Sequence, residues 1–483
     1  MDTKKLRQKV LDLAIHGKLV KQDPNDEPAS ILLDRIRAEK ARLVKEGKIK
    51  KSDLIEKPIS EDEIPFEVPE RWEWCRLAAI INMLSGQDFP PSKYNDKGLG
   101  IPYITGASNI QDAKILVNRW TETPTVIAKQ NDLLIVCKGS GVGKMAICNI
   151  ELGHIARQIQ ALRNTYKLAN LQYIRYVIEV NLRPIISNAN GIIPGLPRDI
   201  LLDLILPLPP LAEQRRIVSA VDELFEQIDI IERSEKELEE AANKTRDKLL
   251  NLAIQGHLVP QDPNEEPASV LLERIRAEKA RLVKEGKLKK KDLEEKPISP
   301  DEIPFDIPEG WVWCRLGDLF NIVSARRVHQ KDWRTSGIPF YRTREIGWLA
   351  DKKDVKTELF IDVALYEEFK KSGYPSENDI MMTAVGTVGK TYIVKATDKF
   401  YYKDASVLCL ENVGKVDPQY VCQVIQSPFF RAMIAEGAGG TTVDTITIIR
   451  ANDYLFPLPP LSEQRRIVSK LEELLQEIDK LKA

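Results

Sequence analysis

The chain has 483 residues, 43% of them apolar, and its 71 Lys and Arg are balanced by 72 Asp and Glu. That balance excludes a globally basic nucleic-acid-binding protein, so phosphate contact must rest on local patches. Apolar runs too short to cross a bilayer, charges throughout the opening MDTKKLRQKVLDLAIHG, only four His, and six Cys without a CxxC pair argue against a membrane span, a secretory signal, a His-based metal site and a disulfide or zinc framework, which makes a reducing cytoplasm the expected compartment.

Taken in chain order, Leu6, Val10 and Leu13 predict a helix over Lys4–Ala14. After the turn DPNDEP, Ser30 is the expected N-cap of a second helix. Its face would be Ile31, Leu32, Ile36, Leu43 and Val44, and it would end near Gly47. The basic run Lys48–Lys51 follows, and Lys287–Lys291 follows a later copy of this helix. Such runs suit a solvated surface favourable to the helix C-terminus, or a phosphate contact. Glu56–Glu70, with Pro58, Pro65 and Pro69, reads as an extended tether into Trp72 and Trp74, which the i, i+2 spacing puts on one side of a strand as core anchors. Cys75 and Cys314, each beside a Trp, read as buried thiols.

Ala78–Asp203 is patterned as short strands and turns, with a helix over Leu171–Asn181 and a Gly-containing turn at Asn188–Gly191. The next long element is Glu213–Ala253, free of Pro and Gly. Ile217, Val221, Leu224, Ile228, Ile231, Leu238, Ala242, Thr245, Leu249 and Leu252 form a heptad stripe on which Glu235 is the charged member. A helix of this length spans roughly 60 Å at ~1.5 Å per residue. One narrow stripe needs a partner helix. The Lys4–Ala14 run and Glu463–Lys482, with Ile467, Leu471, Leu474, Ile478 and Leu481, supply it as a broken copy, with Glu235 where that copy is interrupted.

Internal repetition organises the whole chain. Residues 13–77 match 252–316 at an offset of 239, with 51 of 65 positions identical. PLPPLAEQRRIVS at Pro207–Ser219 matches PLPPLSEQRRIVS at Pro457–Ser469 at an offset of 250. Between them, Ala78–Asp203 and the longer Gly317–Asp453 differ in sequence but keep one order of elements; the second has a helix over Pro418–Ile434 and a Gly-containing turn at Glu436–Thr442. A scaffold that repeats while its inserts diverge would contact one partner twice and two different targets once each.

GSGVGKM at Gly139–Met145 and AVGTVGKT at Ala384–Thr391 approach the phosphate-loop pattern. Strand-like residues flank both, whereas a phosphate loop leads into a helix, so a Gly-rich hairpin with a Lys at its tip is the expected form. PLPPL and DFPPS lack the residues of an adenine-methyltransferase motif, and neither clustered carboxylates for a metal-dependent nuclease nor a catalytic triad is legible. Local nucleic-acid signals are present. In the second block they are Arg326, Arg327, His329, Lys331, Arg334, Tyr341, Arg342, Thr343, Arg344, Lys390 and Lys403, a mix suited to duplex DNA because Arg pairs bidentately with guanine or phosphate. In the first they are sparser: Gln87, Lys93, Tyr94, Thr105, Ser108, Asn109, Lys138, Lys144, Arg157, Gln158, Gln160 and Arg163. A solvated basic loop is the competing explanation of the same pattern.

Two unlike blocks, each entered through W-x-W-x-x-L at Trp72–Leu77 and Trp311–Leu316 and closed by P-L-P-P-L-x-E-Q-R-R-I-V before a heptad helix, resemble the specificity subunit of Type I restriction–modification enzymes. Where many members carry G-x-T-P early in each block, this chain has SGQDFPPSKY and SARRVHQKDW. The resemblance implies an α+β fold. Two mixed, mainly β target recognition domains would be joined by a long antiparallel two-helix coiled coil in a pseudo-two-fold, circularly repeated arrangement. Residues 1–17 would belong to the distal coiled-coil helix, 18–70 to the first arm and tether, and 71–211 to the first recognition domain. Residues 212–256 would be the spacer helix, 257–309 the second arm, 310–460 the second recognition domain and 461–483 the C-terminal coiled-coil helix. Each recognition domain would read half of a bipartite double-stranded DNA site. Two modification subunits carrying S-adenosylmethionine would methylate adenine, two restriction subunits using ATP and magnesium ion would translocate and cleave, and this chain would hold no cofactor and catalyse nothing itself. Two alternatives remain: a coiled-coil scaffold whose blocks bind proteins or other ligands, and an ATPase using Ala384–Thr391.

Overall fold

The computed structural model describes every residue except 50, 140, 188–194, 295, 371–373, 437–444 and 482–483. Both expected Gly-containing turns fall outside the described residues, apart from Glu436, which closes the helix Pro428–Glu436. The chain divides into two units, Met1–Glu235 and Lys236–Ala483, and one 44-residue helix, Leu211–Ile254, runs through the boundary.

In the first unit the arm helix is Ala29–Lys45, and its N-cap is Pro28, not Ser30. The Ala29 N–H donates to the carbonyl of Arg71 at 3.0 Å, so the end of the tether satisfies the first orphan N–H of the helix and lets it begin before Ser30. The second copy, Ala268–Lys284, repeats this with Ala268 and Gly310 at 2.9 Å. The buried face carries Leu32, Leu33, Ile36 and Leu43, whereas Ile31 is 48% exposed. Buried Lys40 also belongs to it, with its ammonium donating to the carbonyl of Ala78 at 3.0 Å.

Trp72 lies just before the strand Glu73–Arg76, buried, with its indole N–H donating to Glu213 at 3.0 Å; Gln22 donates to the other Glu213 oxygen at 2.6 Å. Burial pushes this carboxyl up against the pull of those two hydrogen bonds. Trp74 is only partly buried, edge-on to Phe66. The adjacent Gln214 accepts from the N–H of Asn170 and donates to the carbonyl of Pro209, at 2.8 and 2.9 Å. The second unit repeats all of this: Trp311 and Gln261 donate to Glu463 at 2.9 and 2.6 Å, and Gln464 joins the Asp417 N–H to the carbonyl of Pro459. The E-Q of each EQRR element is therefore an internal latch that seats a long helix on its arm. All six cysteines are buried thiols, and burial pushes those of Cys75 and Cys314 up.

The helix Thr3–Ile15 lies antiparallel to the first part of the long helix, with Arg7 on Asp229 and Glu232 and the Met1 amino group 3.0 Å from Glu235. In the second unit Leu461–Lys480 pairs with the last part, where Arg246 donates to Asp479. Ile217, Val221, Ile228 and Ala242 are buried, but Leu224 and Leu238 are 38% and 42% exposed, Thr245 is exposed, and Leu250, Ala253 and Ile254 are covered more fully than Leu249 and Leu252. One partner covers only part of the stripe, and a 3.5-residue repeat drifts around a helix of 3.6 residues per turn.

The two blocks share an entry–exit ribbon, a four-stranded sheet and the centre of a second sheet. Glu73–Arg76 pairs antiparallel with Ile205–Leu208, and Val312–Arg315 with Leu455–Leu458 in the same register, so chain entry and exit are neighbours. A four-stranded sheet runs Asn82–Ser85, Ile159–Arg163, Leu133–Val136, Met145–Ile147 in the first block and Asn321–Ser324, Val407–Glu411, Ile380–Thr383, Thr391–Ile393 in the second. A second sheet centres on a parallel pair, Ile101–Ile104 with Leu152–Ile155 and Ile338–Tyr341 with Tyr401–Tyr402. The helix expected over Leu171–Asn181 continues to Ser187, and the one expected over Pro418–Ile434 is two helices, Pro418–Ile425 and Pro428–Glu436. The fold is α+β.

Candidate nucleic-acid interface

The two glycine-rich stretches are hairpin loops. Leu133–Val136 pairs antiparallel with Met145–Ile147, and Ile380–Thr383 with Thr391–Ile393, so neither loop opens a helix in the manner of a phosphate loop. Lys144 and Lys390 stand at the base of their loops, not at the tip, because their carbonyls accept from Val136 and Thr383 at 2.9 Å and close the ladders.

In the first block four loops meet at one end of the sheets. Gly86 donates to the carbonyl of Ile159 at 3.1 Å, Gln87 to Ile155 at 2.9 Å, Ala156 to Ile104 at 2.9 Å, and Cys137 to Gln158 at 2.7 Å. A Cβ on Gly86 would fall 2.1 Å from the carbonyl oxygen of Ala156; glycine here permits the backbones to touch. Of the sequence-predicted residues, Gln87, Ser108, Lys138, Lys144, Arg157 and Gln158 belong to these loops or their bases and are exposed. Arg157 is tied to Asp88 through its backbone N–H at 2.9 Å and its guanidinium at 3.2 Å. Lys93 and Tyr94 follow on the first loop, Lys93 over the Phe89 ring and Tyr94 under Arg119.

Four residues of the first block serve the fold. Arg163 is held by Asp132 and the carbonyl of Ile127, at 2.6 and 2.9 Å. Gln160 is buried and accepts from Ser85 at 2.8 Å. Asn109 is fully buried; it accepts from the N–H and the hydroxyl of Thr105, both at 2.9 Å, and donates to Leu116, so Asn109 and Thr105 shape the turn. A buried polar side chain must be paired, and these are paired inside. His154 and Asp88 escaped the sequence reading. His154 is buried against Phe89 and donates through Nε2–H to the carbonyl of Gln87 at 2.9 Å, and burial lowers its pKa. Strand alternation in LGHI carries no signal for that role.

The second block assembles the corresponding end. Arg326 donates through its N–H to the Tyr401 hydroxyl at 2.9 Å, Lys403 to the carbonyl of Tyr341 at 2.8 Å, and Ala384 to Ser406 at 2.9 Å. Arg326, Arg327, His329, Lys331 and Lys403 are exposed. Other predicted residues are engaged by neighbouring groups. Arg342 and Arg344 share the buried Glu345, each at 2.9 Å; burial opposes ionisation of that carboxyl, but the two guanidiniums prevail and lower its pKa. Arg334 pairs with Asp362 at 2.8 Å and Lys390 with Asp351 at 2.6 Å. Tyr341 stacks on Phe400, and the Thr343 hydroxyl donates to Ser406 at 3.1 Å. Arg344 stays half exposed, over the Trp348 ring.

The family described as "Type I restriction modification DNA specificity domain" matches residues 69–240 and again 308–483. The chain belongs to that family. It is 34% identical to the Type I restriction enzyme EcoAI specificity subunit of Escherichia coli, in an alignment covering 99% of this chain and 90% of that protein. With the EcoEI specificity subunit of the same organism it shares 31% identity over the same fractions. A solved structure described as "Structural basis underlying complex assembly and conformational transition of the type I R-M system" shares the fold, with a TM-score of 0.58 at 18% identity over 86% of this chain and 93% of that one. Among the described residues no group of three or more metal-ligating side chains occurs, and no helix is long and apolar enough to cross a membrane.

Proposed function

We propose that this chain is the DNA-reading component of a Type I restriction–modification complex, with each variable block recognising one half of a bipartite duplex site. The observation that carries the reading is the pair of loop ends: the same central strands, two corresponding closing hydrogen bonds, and different exposed side chains. Lys93, Ser108, Lys138, Lys144, Arg157 and Gln158 would face DNA in the first block, and Arg326, Arg327, His329, Lys331, Arg344 and Lys403 in the second. Phosphate contacts would position the duplex and base contacts would specify it. The duplicated arms would dock two identical modification subunits, which bring S-adenosylmethionine and methylate adenine. Two restriction subunits would bring ATP and magnesium ion. This chain would bind no cofactor and catalyse no step, in the cytoplasm. The segmentation at 18–70, 71–211, 212–256, 257–309 and 310–460 assigns arms, recognition domains and spacer helix.

Exchange of Ala78–Asp203 for another family member's block tests this. Mapping of methylated adenines should show one half of the site changed and the other retained. Change in both halves, or in neither, would refute the modular assignment.

A further inference from the structure

Gln158 occupies a special position at the first loop end. Its backbone carbonyl is fixed by the Cys137 N–H at 2.7 Å. Its side chain lies across Gly106, where a Cβ would come 2.5 Å from its Oε1. The residue is exposed, and its amide has no hydrogen-bond partner among the described residues. The backbone is thus fixed, and the glycine on which Oε1 rests leaves the amide room to turn towards a ligand. In the second block the same carbonyl position, fixed by the Ala384 N–H at 2.9 Å, is Ser406, whose hydroxyl already donates to Asp404 at 3.2 Å.

A planar amide offering one donor and one acceptor matches the major-groove edge of adenine, N6–H and N7, and no other base presents that pair in the same arrangement. We propose that Gln158 reads the adenine of one A·T pair in the half-site bound by the first block, and that the second block has no counterpart of this contact. The inference rests on the DNA-reading function proposed above.

The test is genome-wide mapping of methylated adenines in cells expressing the full chain with its modification subunit. The wild-type chain should give a bipartite motif with an A·T pair that becomes degenerate in Gln158→Ala, by about tenfold to a hundredfold in preference, with the second half unchanged. Gly106→Ala should relax the same position, because its Cβ displaces the amide. Gln158→Glu, which only accepts, should shift that position away from A·T towards C·G. Uniform weakening at every site, no change, or relaxation at a G·C pair would overturn the assignment to Gln158 and leave the DNA-reading function standing. A wild-type chain that directs no bipartite methylation would overturn that function itself.

Discussion

The two loop ends share a framework and differ in how they manage charge. In the first block the buried Asp132, which introduces the central strand, accepts from the N–H of Lys129 at 2.8 Å and is also paired with Arg163. In the second, Asp379 holds the same place and accepts from Ser376 at 2.7 Å and from Asn412 at 2.8 Å, both through backbone N–H groups, and among the described residues no guanidinium pairs with it. Burial raises its pKa despite those bonds. The second block instead gathers guanidiniums around Glu345. Equivalent backbones thus tolerate opposite distributions of buried charge, and the scaffold constrains where strands end more than which side chains they carry.

The largest expected effect tests the shared part of the scaffold. Glu213→Ala strands a buried indole N–H and an amide, and should cost about 2 to 4 kcal/mol in denaturant unfolding. Glu463→Ala should cost the same, and a clear inequality would break the equivalence of the latches. Next, Asp132→Asn leaves the partly buried Arg163 without its counter-charge and should cost about 2 kcal/mol. Asp379→Asn should cost less, and equal losses would deny the guanidinium a role.

A pH series separates scaffold from blocks. Hydrogen bonds from Arg76 and the Ser60 N–H hold the Glu63 carboxyl at about 2, and the Ser299 N–H and Arg315 hold Glu302 at about 2. Folded values below the unfolded one, about 4.3, make this stability complete above that pH and lost as pH falls towards 2. Glu63→Gln and Glu302→Gln should therefore be most harmful at neutral pH and converge with the parent near pH 2, in parallel unfolding curves. The smallest effects belong to the loop ends: Lys138→Ala and Lys403→Ala should each lower the salt slope of DNA binding by about 0.9, uniformly across sequences, without changing stability. Sequence-dependent loss would move either lysine from phosphate to base.

Much of the architecture was legible because it is written twice: an offset of 239, then 250, defines scaffold and insert without any structural knowledge. The site was harder to read. Arg163 and Arg157 look alike in sequence, yet one closes on Asp132 across the sheet and the other stands at the loop end with Asp88. Which of them faces solvent depends on pairings between strands far apart in the chain, and no local pattern encodes those. Ser30 failed as a cap for the same reason, since Arg71, whose carbonyl receives the first N–H of the helix, lies 41 residues away in sequence.

The paired entry and exit strands have a consequence for inheritance. Because Glu73–Arg76 and Ile205–Leu208 lie side by side in the same register as Val312–Arg315 and Leu455–Leu458, a genetic crossover within the sequences encoding them joins a foreign insert to ladders, latches and helix starts that already fit. Insert length is free: the two present here differ by eleven residues without disturbing either ribbon. New sequence specificities can therefore arise by shuffling whole inserts, with no intermediate that must refold its scaffold.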